Sequence, residues 1–252
     1  MAEADMLLRN RTVLLTGGAS GIGRASVLML AANGARVLLC DRNEAGARET
    51  IAMAAGGAVE FLPLELTDKK SIDACASAAL SAAGAKIDVL VNAAGWDRTQ
   101  PFIAANEEFI DRVMGINLLG PVRLTRALWP AMVENASGKI VFVASDAGRV
   151  GSLGETPYAA AKGGIIGFTK SLAREGARHN ITVNCVCPGP TDTPLFHANP
   201  ERMREALLRA IPFRRLAKPE DIAGAILYFA GPTSGYVTGQ ILSVSGGLTM
   251  AG

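Results

Sequence analysis

Short apolar runs alternate along the chain with longer segments in which apolar residues recur every three or four positions. The short runs are rich in Val, Ile and Leu, which is typical of strands buried on both faces of a parallel sheet. They predict strands over residues 12–16, 35–40, 58–63, 87–91, 139–144, 181–186 and 240–244. The longer segments predict one helix from the turn after the first strand to residue 33, and others over 44–55, 69–83, 106–133, 158–178, 201–210 and 219–230.

This regular alternation determines the predicted architecture. Seven strands separated by helices favour an α/β fold in which one parallel sheet is doubly wound, with helices on both faces. No linker or change in composition divides the chain, so residues 1–252 are expected to form a single domain. We expect residues 188–200 to form a loop, and the helix over 106–133 to bend near Pro121 and Pro130.

Composition and charge restrict the class of protein. Hydrophobic residues make up 49% of the 252 positions and charged residues 19%, which favours a large core and argues against disorder. A net charge of +2 gives no reason to expect nucleic acid or an anionic membrane as a partner. No apolar run approaches the ~18 residues of a membrane span, and residues 1–10 lack the pattern of a signal peptide.

The cysteines and histidines argue against two kinds of site. Cys40, Cys75, Cys185 and Cys187 show no disulfide-framework spacing, which indicates a reducing, cytoplasmic compartment. The sequence contains 2 histidines, too few to favour a histidine-based triad or a zinc site. We therefore expect no metal.

A glycine-rich turn follows the first predicted strand. Gly17, Gly21 and Gly23 would let the backbone approach a diphosphate that the next helix N-terminus stabilises, although these glycines also suit a simple chain reversal. Asp41 ends the second predicted strand, where an acidic side chain binds the adenosine ribose hydroxyls and repels a 2′-phosphate. Asp41 therefore favours NAD over NADP. The adjacent guanidinium of Arg42 could receive a phosphate, which leaves NADP as the alternative.

Tyr158 and Lys162 stand one helical turn apart in a predicted helix, so their side chains share one face. A phenol has a reference pKa of about 10, and a neighbouring ammonium favours the phenolate and lowers that pKa. The pair is therefore a candidate general acid and base. The alternative is an ordinary exposed helix surface.

Several motifs, in their order along the chain, resemble those of the short-chain dehydrogenase/reductase family. They are residues 16–23, residues 92–95, Asn117, Ser145, Tyr158 with Lys162, and Pro188 with Gly189. The resemblance covers nearly the whole chain. It implies a Rossmann fold, NAD or NADP as cofactor, and reversible hydride transfer between a secondary alcohol and a ketone.

The resemblance also implies a role for each matching residue. Tyr158 would be the acid or base, and Lys162 would lower the pKa of the phenol and hold the nicotinamide ribose. Ser145 would position the substrate oxygen, and Asn117 would carry a water into a proton relay; a strand-end serine and a mid-helix asparagine can also be purely structural. The implied cofactor-binding residues are Gly17, Ser20, Gly21, Ile22, Gly23, Asp41, Arg42, Glu65, Leu66, Asn92, Ala93, Gly95, Tyr158, Lys162, Pro188, Gly189, Thr191 and Thr193.

The predicted substrate wall is mainly apolar, with room for a ring or an alkyl chain. It comprises Ser145, Trp96, Ala147, Arg149, Val150, Leu153, Pro190, Leu195 and Phe196. Four strings, residues 94–97, 144–147, 187–193 and 243–250, resemble a branch of the family that oxidises cyclic β-hydroxyacyl-CoA thioesters such as 2-hydroxycyclohexanecarbonyl-CoA. The phosphates of CoA would need cations at the pocket mouth. The candidate cations, each of which could instead be solvated surface, are Arg149, Arg204, Arg209, Arg214 and Arg215.

Other functions stay open at this point. Within the family, the chain could be a 3-oxoacyl-(acyl-carrier-protein) reductase, which normally uses NADPH, or another alcohol or sugar dehydrogenase. Outside the enzymes it could be a dinucleotide sensor or a structural subunit, which would not need Tyr158, Lys162 and Ser145. The resemblance further implies a homotetramer built on the helices over 106–133 and 158–178 and on the C-terminal residues 248–252.

Overall fold

The computed structural model describes residues 7–250 and contains a seven-stranded parallel sheet with the order β3-β2-β1-β4-β5-β6-β7. The strands are β1 (Thr12–Thr16), β2 (Arg36–Asp41), β3 (Val59–Pro63), β4 (Val89–Asn92), β5 (Gly138–Val143), β6 (Ile181–Pro188) and β7 (Ile241–Val244). The strand order reverses direction between β1 and β4, which is the doubly wound topology predicted from the alternating pattern. Residues 1–6 and 251–252 lie outside the described part. They include most of residues 1–10, which we expect not to be a signal peptide, and the end of residues 248–252, which we expect to take part in the tetramer.

Helices cover both faces of this sheet. They are α1 (Gly21–Ala32), α2 (Glu44–Met53), α3 (Lys69–Ala82), α4 (Glu107–Met114), α5 (Gly120–Glu134), α6 (Ala147–Val150), α7 (Thr156–Ala177), α8 (Pro194–His197), α9 (Glu201–Ala210) and α10 (Pro219–Ala230). One core cluster joins the sheet to α3, α5 and α7, with Leu124 and Ile165 buried in it. A second cluster joins the other face to α1 and α10 through residues such as Leu30 and Ile226.

The predicted helix over 106–133 is interrupted by a π-helical turn. The π turn, Gly115–Leu119, separates α4 from α5, whereas the sequence predicted bends near the two prolines. Asn117 lies inside it, and its Nδ2 donates to the Val113 carbonyl at 2.9 Å. This side-chain hydrogen bond competes with the regular helical pattern, and π turns of this kind frequently mark functional sites. Pro121 enters the first turn of α5, where a missing N–H is tolerated, and Pro130 lies within α5.

Two short helices occupy segments in which no helix was predicted. α6 follows β5 directly, and α8 lies within residues 188–200, where the sequence predicted only a loop. Thr193 caps α8 by accepting a hydrogen bond from the Phe196 N–H at 3.3 Å. Four-residue helices contain too few turns to give a periodic apolar pattern, which explains why sequence analysis missed them.

The structure bears on the predicted exclusions. All four cysteines are buried and free of disulfides. Within residues 7–250, no helix is both long and apolar enough to cross a membrane. The same part of the chain contains no group of three or more His, Cys, Asp or Glu side chains suited to a metal ion.

Candidate active site

A cavity of about 740 Å³ opens along the carboxyl ends of the parallel strands. It is lined by residues from the loops that follow β1, β2, β4, β5 and β6, and it spans the point between β1 and β4 where the strand order reverses. Open parallel sheets bind their ligands in the crevice at this position. The cavity is therefore the candidate active site.

The glycine-rich turn forms one end of the cavity and is shaped by close backbone contacts. A Cβ atom on Gly23 would lie 1.9 Å from the Gly17 carbonyl oxygen, and one on Gly17 would lie 2.6 Å from the Ala94 Cα. Ser20 precedes α1 but makes no side-chain capping bond, and no acidic residue occupies the first turn of α1. The N-terminal N–H groups of α1 therefore suit an anion, and a dinucleotide diphosphate fits this turn.

Asp41 and the residues beside it form the next part of the cavity wall. The Asp41 carboxylate accepts hydrogen bonds from the Ala19 N–H at 3.0 Å and the Asn43 N–H at 2.9 Å. It is thereby tied to the glycine-rich turn, at the end of β2. Arg42 lines the same wall. Its guanidinium forms an ion pair with the Glu65 carboxylate at 3.5 Å, so the cation that could receive a phosphate already has an anionic partner.

Glu65 lines the cavity, but its carboxylate turns back toward its own loop. Its Oε1 accepts hydrogen bonds from the Thr67 N–H at 3.0 Å and the Thr67 hydroxyl at 2.8 Å. Burial alone raises the pKa of Glu65, yet these hydrogen bonds and the charge of Arg42 bring it below the ordinary value. Leu66 lines the cavity beside it.

Asn117 lies behind the cavity and holds the loop after β4. Its Nδ2 donates to the Trp96 carbonyl at 2.7 Å and its Oδ1 accepts from the Trp96 N–H at 3.2 Å. A Cβ atom on Gly95 would lie 3.2 Å from the Asn117 Oδ1 and 3.5 Å from the Lys162 Nζ, so three elements meet at this glycine. Asn92, by contrast, is buried below the cavity, with its Nδ2 at 3.4 Å from the Thr125 Oγ1.

Lys162 and Tyr158 meet at the centre of the cavity wall. The Lys162 Nζ lies 5.5 Å from the Tyr158 ring centroid and donates to the Val143 carbonyl at 2.8 Å. Burial lowers the pKa of Lys162 to about 8, against the opposing effect of Cys185 and Cys187. An ammonium whose pKa lies this close to neutrality can exchange its proton during a reaction cycle.

The pKa of Tyr158 departs from the sequence prediction. We expected the neighbouring cation to lower it, but burial raises it, and the Glu155 carboxylate raises it further, while a hydrogen bond with Ser145 lowers it. The reason is that the phenol is withdrawn from water, which disfavours its charged form, and that the Glu155 and Asp97 carboxylates disfavour that form further.

Ser145 lies between β5 and α6 and contacts the start of α6. Its Oγ accepts a hydrogen bond from the Ala147 N–H at 3.1 Å. The next residue, Asp146, accepts from the Ser243 hydroxyl at 2.5 Å, and Arg149 donates to the same Ser243 Oγ at 2.8 Å. Arg149 is therefore directed to β7 and does not line the cavity, which corrects its predicted place in the substrate wall.

The predicted substrate wall is otherwise largely present. Pro190 and Leu195 are both on it, whereas Leu153 is 94% exposed and lies off it. The other lining residues of this set are Ser145, Trp96, Ala147, Val150 and Phe196. The predicted Pro188, Gly189, Thr191 and Thr193 line the cavity at the end of β6, where the Thr191 hydroxyl donates to the Gly189 carbonyl at 2.9 Å.

The arginines predicted to bind CoA phosphates do not line the cavity. Arg215 pairs with Asp221 at 2.6 Å, Arg209 pairs with Glu205 at 3.5 Å, and Arg214 donates to the Arg209 carbonyl. Arg204 contacts the His197 ring nitrogen at 3.2 Å. An exposed cation that sequence analysis did not single out, Arg98, lines the cavity instead.

Sequence analysis also missed two acidic residues of the cavity wall, Asp97 and Glu155. Asp97 follows the family-like motif after β4, and Glu155 directly precedes α7. Asp97 ends the string 94–97 that resembles a branch of the family, but that resemblance assigns no role to its carboxylate. Nothing in the sequence brings it together with Glu155.

Asp97 provides a prediction about stability. It is 9% exposed, and burial is the main reason why its pKa rises to about 6, with Glu155 adding to the rise. The pKa of Asp97 is about 6 in the folded state and about 3.9 in the unfolded state. The protonated carboxyl group therefore contributes its full stability below about pH 3.9, and this contribution is lost as the pH rises through about 6. We expect Asp97→Asn to raise the free energy of unfolding by up to ~3 kcal/mol at pH 8 and by about half as much at pH 5.

Urea unfolding of the wild type and Asp97→Asn at both pH values measures this difference. Asp73→Asn, an exposed position on α3, is the matched control and is expected to change little at either pH. If the change in the free energy of unfolding caused by Asp97→Asn did not depend on pH, the carboxyl group of Asp97 would not have a raised pKa in the folded protein.

The comparisons with known proteins agree with this architecture. The model of the family described as enoyl-(acyl carrier protein) reductase matches residues 17–249. A 3-oxoacyl-(acyl-carrier-protein) reductase from Thermotoga maritima is 40% identical over 97% of this chain and 100% of its own length. The (2S)-((R)-hydroxy(phenyl)methyl)succinyl-CoA dehydrogenase subunit BbsD from Thauera aromatica is 39% identical over 97% of this chain and 99% of its own. The crystal structure of levodione reductase aligns with a TM-score of 0.91 at 29% identity, covering 95% of this chain and 98% of that one.

The fold and these relatives define an oxidoreductase that acts on CH–OH and keto groups with a nicotinamide dinucleotide. The chain belongs to the short-chain dehydrogenase/reductase family. The protein is therefore an enzyme, and not the dinucleotide sensor or structural subunit that the sequence left open.

Proposed function

We propose that this enzyme interconverts a β-hydroxyacyl thioester and its β-keto form with NAD, the acyl group being cyclic, as in 2-hydroxycyclohexanecarbonyl-CoA. The observation that carries the proposal is the meeting of Ser145, Tyr158 and Lys162 in the cavity that also contains the glycine-rich turn. Tyr158 would supply the acid or base, Ser145 a hydrogen-bond partner and Lys162 a cation, in the same cavity as the turn that suits a dinucleotide.

Each of these residues has a role in the proposed reaction. When bound, the dinucleotide supplies the hydride acceptor or donor. As the phenolate, Tyr158 would take the proton of the substrate hydroxyl during oxidation, and as the phenol it would return that proton during reduction. Ser145, hydrogen-bonded with that phenol, holds the substrate oxygen in position. Lys162 holds the nicotinamide ribose, and Asn117, next to Lys162 at Gly95, links it to solvent through water.

The acyl thioester class is supported by the wall of the cavity and by a relative. Pro190, Leu195 and Phe196 form an apolar surface that suits a ring or an alkyl chain. The Thauera aromatica relative is named for a succinyl-CoA derivative that carries a secondary alcohol and a phenyl ring. The arginines of α9, Arg202, Arg204 and Arg209, do not line the cavity, so the phosphates of CoA would remain at its solvent edge.

A 3-oxoacyl-(acyl-carrier-protein) reductase is the second candidate function, because the Thermotoga maritima relative carries that name. The two are separated by assaying a β-keto thioester of CoA and of acyl carrier protein with NADH and NADPH. The first proposal expects CoA with NADH to give the highest kcat/KM. A preference for the carrier protein with NADPH would support the second.

The preference for NAD rests on Asp41. Asp41→Asn keeps an oxygen that can accept from the Ala19 N–H but removes the charge that repels a 2′-phosphate. We expect the ratio of kcat/KM for NAD to that for NADP to fall by roughly tenfold or more, because like charges placed together cost several kcal/mol. Asp41→Ala, which also loses the acceptor, is expected to weaken NAD binding as well. An unchanged ratio in both variants would assign the preference to another residue.

The remaining parts of the proposal concern the state of the enzyme in the cell. We propose a cytoplasmic homotetramer of single-domain subunits assembled through α4, α5, α7 and the C-terminal segment. Large exposed apolar side chains in about the last 40 residues, Phe213, Tyr236 and Met250, support it. Light scattering on the purified protein measures the mass, and a monomer would contradict this part of the proposal alone.

A further inference from the structure

Two carboxyl groups on the substrate side of the cavity have no part in the proposed chemistry. Asp97, on the loop after β4, and Glu155, directly before α7, both line the cavity beside Tyr158. Both carboxylates act on the phenol strongly enough to raise its pKa. They are therefore within electrostatic range of the atom that would hold the substrate oxygen.

Asp97 is unusual because its charge has no compensation. The residue is 9% exposed, yet neither carboxylate oxygen has a hydrogen-bond partner of good geometry. The group that favours its charged form is the backbone N–H of Arg98. A buried, unpartnered carboxylate reduces stability and persists where function requires it. Asp97 lines the cavity while both of its oxygens are buried, so its charge would act on a ligand there across a short distance and not through direct contact.

The neighbouring cations are engaged elsewhere. Arg98 donates to Gln100 at 3.0 Å and stacks on Phe109 at 5.4 Å, and Arg112 stacks on Trp96 at 3.9 Å. Within residues 7–250, neither Asp97 nor Glu155 forms an ion pair. Glu155 is instead hydrogen-bonded with Ser152 and half-buried. The wall formed by Asp97 and Glu155 thus carries uncompensated negative charge, which we call the acidic wall.

We propose that the acidic wall determines substrate specificity by excluding free carboxylates, so that the enzyme accepts an acyl group only in uncharged form, as a thioester, ester or amide. This deepens the proposed function and rests on it for the location of the reacting alcohol at Tyr158. A β-hydroxy acid carries its carboxylate within a few bonds of the hydroxyl. When Tyr158 holds that hydroxyl, the carboxylate would come close to two like charges, one of them on the buried Asp97. Esterification removes the charge and leaves a carbonyl oxygen.

The direct test compares two dead-end ligands of nearly equal shape, cyclohexanecarboxylate and cyclohexanecarboxamide. Their Kd values are measured by the fluorescence of NADH on the enzyme–NADH complex, with wild type, Asp97→Asn, Glu155→Gln and the double variant. We expect the wild type to bind the amide at least about tenfold more tightly than the carboxylate. In the double variant the carboxylate should gain about tenfold while the amide changes by less than threefold, because Asn and Gln keep polar groups of the same size.

Asp73→Asn removes one negative charge from exposed surface on α3 and is expected to leave both Kd values unchanged. Circular dichroism melting of each variant verifies the fold. The inference is overturned if wild type binds the carboxylate as well as the amide, if the amide does not bind, or if the ratio of Kd values is the same in the double variant.

A turnover experiment separates this inference from the proposed function. The kcat/KM of a β-hydroxyacyl-CoA is measured with NAD, together with that of the methyl ester and of the free acid. If the ratio of the Kd values for carboxylate and amide shifts as expected but no thioester is oxidised, the proposed function is wrong and the role of the acidic wall is supported. If the thioester is oxidised but the double variant keeps the preference for the ester over the free acid, the proposed function is supported and the role of the acidic wall is wrong.

Discussion

Tyr158→Phe is expected to lower kcat by about 10²- to 10⁴-fold, the range over which general acid–base catalysis contributes. The substitution removes the phenolic oxygen and keeps the ring against which the Lys162 Nζ lies at 5.5 Å. The loss should therefore fall on proton transfer, while the affinity for NADH stays within about threefold because ring and backbone are unchanged. Absorbance at 340 nm gives kcat, and the fluorescence of bound NADH gives its Kd.

Tyr228→Phe is the matched control for this experiment. Tyr228 is partly exposed on α10, outside the cavity, and losing its hydroxyl should leave kcat unchanged. Near-normal turnover in Tyr158→Phe would overturn the proposed mechanism. A parallel loss of turnover and NADH affinity would instead assign Tyr158 a role in holding the cofactor.

Gly23→Ala is expected to weaken NADH binding by about ten- to hundredfold. The added Cβ would lie 1.9 Å from the Gly17 carbonyl oxygen, a contact with backbone that no side-chain rotation can relieve. Overpacking of this kind costs roughly 1–3 kcal/mol, and here the displaced atoms are those of the turn that would hold the diphosphate. Since α1 also begins at this turn, the melting temperature should fall as well.

Gly224→Ala supplies the control for a glycine within a helix. Gly224 lies on α10 with nothing within 4 Å of the added Cβ, so the substitution should leave NADH affinity unchanged. It should stabilise the helix by up to about 1 kcal/mol, because alanine has the higher helix propensity. An unaltered Kd for NADH in Gly23→Ala would remove the glycine-rich turn from the cofactor site.

The strands and most helices were predictable because their signals are local. A buried parallel strand has an apolar run, and an amphipathic helix has a 3.6-residue period, as the coincidence of α9 and α10 with the predicted ranges illustrates. The π turn around Asn117 was not predictable, because it depends on a hydrogen bond between that side chain and the Val113 carbonyl. Such a bond is a property of one folded turn and has no periodic signature.

The site divides in the same way. Asp41, Ser145 and Tyr158 could be assigned because each belongs to a short motif next to a strand or on a helix. The direction of the pKa of Tyr158 could not, because burial and the Glu155 carboxylate outweigh what sequence spacing suggests. Arg149 was misplaced for a related reason: its partner Ser243 stands far away in sequence, on β7.

The most direct test of the central claim is the transfer of deuterium from substrate carbon to cofactor. A β-hydroxyacyl-CoA labelled with deuterium at the carbinol carbon is incubated with the enzyme and NAD, and the reduced cofactor is analysed by mass spectrometry. We expect NADH that carries the deuterium, together with the unlabelled β-keto thioester, and neither product with Tyr158→Phe in the same time. Reduced cofactor without deuterium, or no reduction with any hydroxyacyl thioester, would contradict it.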